Sequence, residues 1–238
     1  MENSTIELRN LQIEDYLGLK EAMQEAYSNI GGSYWAIEAI EKLLKEFPEG
    51  QLCVLVEKEV AAIALSIRID YSKFGDNHTY KQITGNYSFD THDPEGDVLY
   101  GIEIFVHPKH RGMLLGRRLY DVRKELCENL NVRAIMAGGR IPNYNKFSNE
   151  LSPREYIHRV RLREIFDPTL TFQLSNGFHV KKVLKNYLPE DTESEEYATL
   201  LEWNNIYYQE KEKLINVEKT IVRLGIVQWQ MRFFNSFD

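Results

Sequence analysis

The sequence predicts an α/β (α+β) fold, a central sheet flanked by helices, in one domain with two insertions and a C-terminal extension. Three observations predict it. The 238 residues are long for one domain and short for two. Hydrophobic residues make up 43% and charged residues 27%, the balance of a folded chain. Strand-like alternation and helix-like spacing then take turns along the chain from Thr5 to Trp203.

Residues 5–9 alternate and read as a strand. Residues 13–27 carry Leu17, Leu19, Ala22, Met23 and Ala26 at helical spacing, with Glu14 and Asp15 near the start. A second helix over 35–47 presents Ile37, Ile40, Leu43, Leu44 and Phe47, and Pro48-Glu49-Gly50 breaks it. Residues 52–57 and 60–69 form a hairpin around a polar turn. The stretch 70–97 is polar with little periodicity and reads as a long excursion from a sheet edge, functional or mobile. Its Asp76, Asn77, His78, Asp90, Thr91, His92 and Asp93 include metal-ligand types, but such clusters are mostly loop solvation and capping, and no metal is expected.

A strand over 98–106 leads into a helix over 113–130 with Leu115, Leu119, Val122, Leu126 and Leu130 on one face. Residues 132–137 form the next strand. A second insertion, 138–166, holds a short helix near 154–163. A helix over 169–175 ends at Asn176-Gly177, a C-cap signal, and strands over 178–185 and 197–203 follow. In the tail from residue 205, 207–217 looks helical and 220–230 looks like a strand.

The formal net charge of −7 argues against nucleic acid as a partner, because neutralising phosphates takes clustered Lys and Arg. Cys53 and Cys127 sit in apolar or helical patterns and read as buried free thiols, which fits a reducing, cytoplasmic setting. The N-terminus lacks the basic and apolar regions of a signal peptide, and no apolar run reaches about 18 residues, so no membrane role is expected.

The chemistry concentrates at Val106-His107-Pro108-Lys109-His110-Arg111-Gly112-Met113-Leu114-Leu115-Gly116. A strand ends and a glycine-flanked turn opens a helix. The first turn of a helix has unpaired N–H groups and a partial positive charge, which attract anions. Gly112 and Gly116 lack Cβ atoms, so a phosphate can approach the backbone. Arg111 adds a fork of donors. With Lys109, His110, Arg117, Arg118, Arg123 and Lys124, this is the most basic stretch of an acidic chain. Spacing alone leaves two readings open, a polyanion cradle or an ordinary strand-to-helix turn with a solvated basic face.

A strand ending Val-x-Pro, then Arg-Gly-x-x-x-Gly and an amphipathic helix, resembles the acyl-CoA signature of the GNAT N-acetyltransferases. The order of elements resembles that fold too, as does the segment Phe172-Gln173-Leu174-Ser175-Asn176-Gly177-Phe178. The resemblance covers about residues 4–204. It implies a mixed, mostly antiparallel sheet over 1–204. It also implies acetyl-CoA or another acyl-CoA as cosubstrate, and transfer of the acyl group to the amine of a small molecule or peptide. The backbone of Ile104, Phe105 and Val106 would run beside the pantetheine arm. Amides from Arg111 through Gly112, Met113, Leu114, Leu115 and Gly116, with Arg117, would hold the pyrophosphate. Two positions depart from the pattern. Leu114 stands where the family usually has glycine, which bears on the tightness of the loop. Gln173 stands where it often has a proton-donating tyrosine, which leaves the general acid unassigned.

In the mechanism the resemblance implies, an amine attacks the thioester. Glu103 is the first candidate base, with an outward or ion-paired carboxylate as the alternative. Tyr100 is the other catalytic candidate. Strict alternation puts the two on opposite faces of the strand, so only one can face the acceptor. His107 and His110 read as loop residues or phosphate neighbours. Tyr34 and Trp35 read as core, or as a wall of the acceptor cleft. Gly138-Gly139-Arg140 at a strand end suggests close backbone approach and a carboxylate-binding fork. Arg140, Asn143 and Tyr144 are therefore the expected acceptor residues, a structural ion pair and turn being the alternative.

The segment Val222-Arg223-Leu224-Gly225-Ile226-Val227-Gln228 resembles the opening strand of the nitrilase-like carbon–nitrogen hydrolases. The arrangement resembles bacterial fusions of a GNAT domain with such a hydrolase. It implies that 205–238 is a linker helix and the first strand of a truncated hydrolase domain. The catalytic Glu, Lys and Cys would lie beyond Asp238, so no amidase chemistry is expected here. An apolar strand of this kind needs a sheet or partner to cover it, which leaves a homodimer through the tail open. A non-catalytic acyl-CoA-binding or regulatory module attached to such a hydrolase is the competing reading of function.

Overall fold

The computed structural model describes residues 5–28 and 34–210. Seven strands form one sheet in the order β1-β2-β3-β4-β5-β7-β6. They are β1 (Ile6–Asn10), β2 (Leu52–Val56), β3 (Glu59–Ile69), β4 (Val98–Val106), β5 (Ala134–Arg140), β6 (His179–Leu184) and β7 (Ala198–Asn204). All neighbours are antiparallel except β4 and β5. That parallel pair needs a crossover, which is α4 (Leu115–Asn129).

Both faces are covered, which is why β2 and most of β3 are apolar at every position and not only at alternate ones. On one face lie α1 (Tyr16–Ala26), α2 (Ile37–Glu46) and the excursion after β3, which holds the short α3 (Tyr80–Ile83). The other face carries α4, α5 (Pro153–Arg161) and α6 (Pro168–Ser175). Local chemistry sets the ends of the later helices. Ser152 and Glu155 form a capping box at α5, and Asp167 caps α6 by accepting from Thr169 N and Leu170 N. After α6 the chain turns through Gly177 at φ +82°.

The excursion at 70–97 is not a loose loop. It drives Tyr71, Ile83 and Phe89 into the core, and Trp35 packs on the Phe89 ring at 4.6 Å. Trp35 is therefore core, while Tyr34 is exposed beneath Lys20. The second insertion begins later than expected, because β5 continues through Gly138 and Gly139 to Arg140, paired with β7. Both cysteines are buried, and burial pushes each thiol up to about 12. Residues 205–210 form a turn and irregular chain. The expected tail strand and the rest of the tail helix lie outside the described residues. Among those described, no helix is long and apolar enough to cross a membrane.

Candidate active site

Strands β4 and β5 pair only from Val98↔Ala134 to Gly101↔Ala137. Beyond that they part. β4 continues to Val106 and β5 to Arg140, and a gap opens between them.

The parting coincides with a bulge. Leu65 of β3 pairs with Glu103 and Ser66 with Gly101, so Ile102 is the extra residue. A bulge inverts alternation downstream. Val98, Tyr100 and Ile102 pack on the α1 face, and past the bulge so does Phe105. Glu103 follows, and its Oε1 accepts a hydrogen bond from Tyr27 Oη, at the end of α1. Strict alternation therefore misplaced this pair, because Tyr100 and Glu103 share one face.

The two candidates differ in state. Glu103 is half-buried, and its Oε1 also accepts from Ile104 N at 3.1 Å. Burial lifts its carboxyl above the ordinary value. The Tyr27 hydroxyl, the Ile104 amide and the charges of Arg123 and Arg140 limit the rise. Tyr100 is wholly buried, with its hydroxyl 2.8 Å from His78 Nε2 and 3.0 Å from Tyr187 Oη. His78 Nδ1 lies 2.8 Å from the Gly75 carbonyl, an obligate acceptor, so Nδ1 carries the proton. Nε2 of the neutral ring then accepts from Tyr100, which accepts from Tyr187. Both of Tyr100's partners are protein groups, so it is a link in a buried network and does not stand free to meet an amine. This corrects its place among the catalytic candidates.

The turn after β4 is built from backbone. Pro108–His110 form one 3-10 turn. His107, nearly buried, accepts from Lys109 N at 3.2 Å through Nδ1 and sets Nε2 at 3.4 Å from Glu25. Gly112 has φ +86° and open space where a Cβ would stand. Leu114 takes the left-handed conformation (φ 59°, ψ 19°) that its expected glycine counterpart would take, and the residue is 67% exposed. The first helical bond runs from Arg118 N to Leu114 O at 3.2 Å. Among the described residues, the amides of Gly112, Leu114, Leu115, Gly116 and Arg117 have no acceptor. Gly116 also serves packing, because a Cβ there would stand 2.8 Å from the Phe172 ring.

The residues expected to bind the acceptor are engaged by the chain itself. Arg140 donates through Nε and Nη2 to both oxygens of Asp191 at 2.6 Å, and through Nη2 to Glu193 at 2.9 Å. Asn143 donates to Phe166 O, and Tyr144 is buried with its hydroxyl on Leu151 O. The paired glycines admit side chains. A Cβ on Gly138 would overlap the Tyr187 ring, and one on Gly139 would overlap Gln173. The expected carboxylate fork is thus filled by the chain's own acids, although the Arg140 charge still acts on Glu103 and Tyr27. Gln173 is buried, and among the described residues its Oε1 has no partner.

Sequence reasoning missed Tyr27, Tyr80, Tyr187 and the role of Arg123. No local signal marks the three tyrosines, which come from distant segments; Arg123 stands out only as a charge on the otherwise apolar stripe of α4. Among the described residues, no three His, Cys, Asp or Glu groups cluster as metal ligands.

Fold and turn together define the class: an acyltransferase fold of the kind that takes its acyl group from CoA. The chain belongs to the acetyltransferase (GNAT) family, whose model matches residues 16–149. An uncharacterized N-acetyltransferase of Bacillus subtilis (strain 168), YkwB, is 34% identical over 175 residues, 74% of this chain and 77% of that protein. A probable hydrolase of the same organism, YhcX, is 39% identical over 232 residues, 97% of this chain but 45% of that protein. The chain thus spans about half that relative's length. The loading GNATL domain of CurA from Lyngbya majuscula superposes with TM-score 0.73 at 25% identity, covering 84% of this chain and 98% of that one. A GNAT-like decarboxylase, GphF, in complex with isobutyryl-CoA has TM-score 0.70 at 18% identity, covering 83% and 98%, a likeness of fold alone.

Proposed function

We propose that the chain transfers an acyl group, acetyl from acetyl-CoA first, to an amine that attacks the thioester directly, with Glu103 as general base. The carrying observation is the Glu103 carboxylate, held by Tyr27 at the bulge where β4 and β5 part.

The residues fit the cosubstrate. The unpaired amides of Gly112, Leu114, Leu115, Gly116 and Arg117 suit a pyrophosphate, with Arg111 and Arg117 exposed beside them. The edge of β4 at Ile104, Phe105 and Val106, unpaired on the β5 side, suits the pantetheine amides. The orphan Gln173 Oε1 could accept from one of them. The thioester supplies an activated acyl carbon, and the chain's residues do the rest. An ammonium acceptor with a reference pKa near 10.4 costs about 4–5 kcal/mol to deprotonate at neutral pH. Glu103 takes that proton before the attack; the neutral amine then forms the C–N bond as the C–S bond breaks, and the nitrogen sheds its second proton to solvent. A base so placed contributes on the order of 10²–10⁴-fold. The thiolate leaves with a proton from solvent or from a group still to be assigned, since Gln173 cannot give one. The acceptor is a small-molecule or peptide amine, with Arg140, Asn143 and Tyr144 acting through the wall they stiffen.

Thiol release from acetyl-CoA across an amine panel tests this. Turnover that falls at least a hundredfold in Glu103→Gln supports it, and silence of the folded chain across the panel overturns it. A second reading draws on the 45% coverage of a probable hydrolase and on the Val222–Gln228 resemblance. In it, the chain is the acyl-CoA-binding or regulatory part of a fusion with a nitrilase-like hydrolase, located in the cytoplasm, with a homodimer contact in its tail. It predicts CoA binding without turnover.

A further inference from the structure

Arg123, in the middle of α4, is 2% exposed. An arginine is almost never fully buried unless paired, yet among the described residues it has no carboxylate partner within ion-pair distance. Its Nη2 donates instead to two backbone carbonyls, Leu65 O at 3.0 Å and Glu103 O at 2.8 Å, and its Nε has no partner at all. These carbonyls belong to the β3–β4 pair at which the ladder slips. A bulge leaves backbone groups without ladder partners, and a buried orphan carbonyl is costly. One nitrogen of Arg123 donates to both carbonyls that flank the slip. Gly101 makes room, because a Cβ there would stand 2.8 Å from Nη1. From the opposite face, Tyr80 Oη donates to the carbonyl of the bulged residue, Ile102 O, at 3.2 Å.

We propose that Arg123 is the positioning residue of this site: its buried guanidinium clasps the carbonyls of Leu65 and Glu103 and so fixes the bulge that sets the Glu103 carboxylate at the gap. The clasp also puts a cation behind the Glu103 peptide. That charge opposes the burial that favours protonated Glu103. The other groups acting on Glu103 are Tyr27 from α1, Tyr80 from α3, Arg140 from β5 and Tyr187 from the segment after β6. Only the two arginines among them are cations, and Arg140 is shared with Asp191 and Glu193, to which it is ion-paired.

The proposal rests on Glu103 as the base, so the test separates the two. The full chain is labelled with 13Cδ-glutamate, and the Glu103 resonance is identified by its loss in Glu103→Gln. It is then titrated in the wild type, Arg123→Met and Arg123→Lys, beside thiol release from acetyl-CoA over the same pH range and CoA affinity by calorimetry. Arg123→Met is expected to titrate at higher pH than the wild type and to lose about a hundredfold in kcat/KM. Its CoA affinity should stay within about threefold, because Arg123 lies far along α4 from the amide turn. Arg123→Lys, a point charge without the fork, should restore most of the titration but not the rate. If Arg123→Met is too unstable to study, Arg123→Lys alone carries the test through its split between titration and rate. An unmoved Glu103 titration in Arg123→Met overturns the proposal. So does a rate loss matched by lost CoA affinity, or full activity in Arg123→Lys. If Glu103→Gln keeps full activity, Glu103 is not the base, whatever Arg123 does to its titration.

Discussion

The amide turn after β4 and the carboxylate pocket beneath it lie near the same end of one strand, yet they are made differently. The turn is solvent-facing and contiguous, and its donors are backbone. The pocket is half-buried, and its polar atoms come from side chains on α1, α3, α4, β4, β5 and the segment after β6. A site of backbone amides tolerates most side-chain changes, provided each φ is kept. A site of converging side chains depends on every element that carries one. Binding should therefore be robust and local in this protein, and chemistry fragile and distributed.

Glu103→Gln breaks the comparison hardest. It should cost on the order of 10²–10⁴-fold in kcat/KM while CoA affinity by calorimetry stays put. Because the folded carboxyl is raised by burial, stability held by its protonated form is lost as pH rises through that value. Glu103→Gln should then raise Tm by about 2 °C at pH 7.5 and by less in acid, read by calorimetric scans. Next in size, Arg111→Glu puts a carboxylate beside the free amides. Calorimetry should find CoA binding weaker by about tenfold to a hundredfold, with the Glu103 titration unchanged. Tyr27→Phe deletes the donor to Glu103. The acid limb of kcat/KM should move up in pH, with a rate loss of about tenfold at neutral pH. Smallest, Leu114→Gly removes a Cβ from a left-handed position that costs roughly 1 kcal/mol. Tm should rise by about 1–3 °C, with CoA affinity equal or better.

The turn was legible because it lies in consecutive residues, and the bounds of β4 were legible because Val98 to Val106 is apolar but for Glu103, with a proline just past its end. The pocket was not. A period of two places Tyr100 and Glu103 on opposite faces, and one extra residue at Ile102 reverses that. Nothing in the strand's own residues announces the bulge; the signal is Arg123, a charge on an otherwise apolar helix stripe. Gly138-Gly139-Arg140 misled for a related reason. Two glycines admit a close neighbour, and sequence cannot say whether that neighbour is a ligand or, as here, Tyr187 and Gln173. Asp191 and Glu193, which claim Arg140, lie some fifty positions on.

The parting of β4 from β5 has a kinetic corollary. A sheet interrupted this way keeps a row of main-chain protons that no neighbour shields. In the free protein, the Ile102–Val106 amides on the β5 side, except Ile104 N on the Glu103 carboxylate, should exchange with deuterium far faster than those bonded to β3. A pantetheine arm laid into the gap would slow them without moving either strand. Isotope exchange along that one edge would then report occupancy residue by residue, before any product is made.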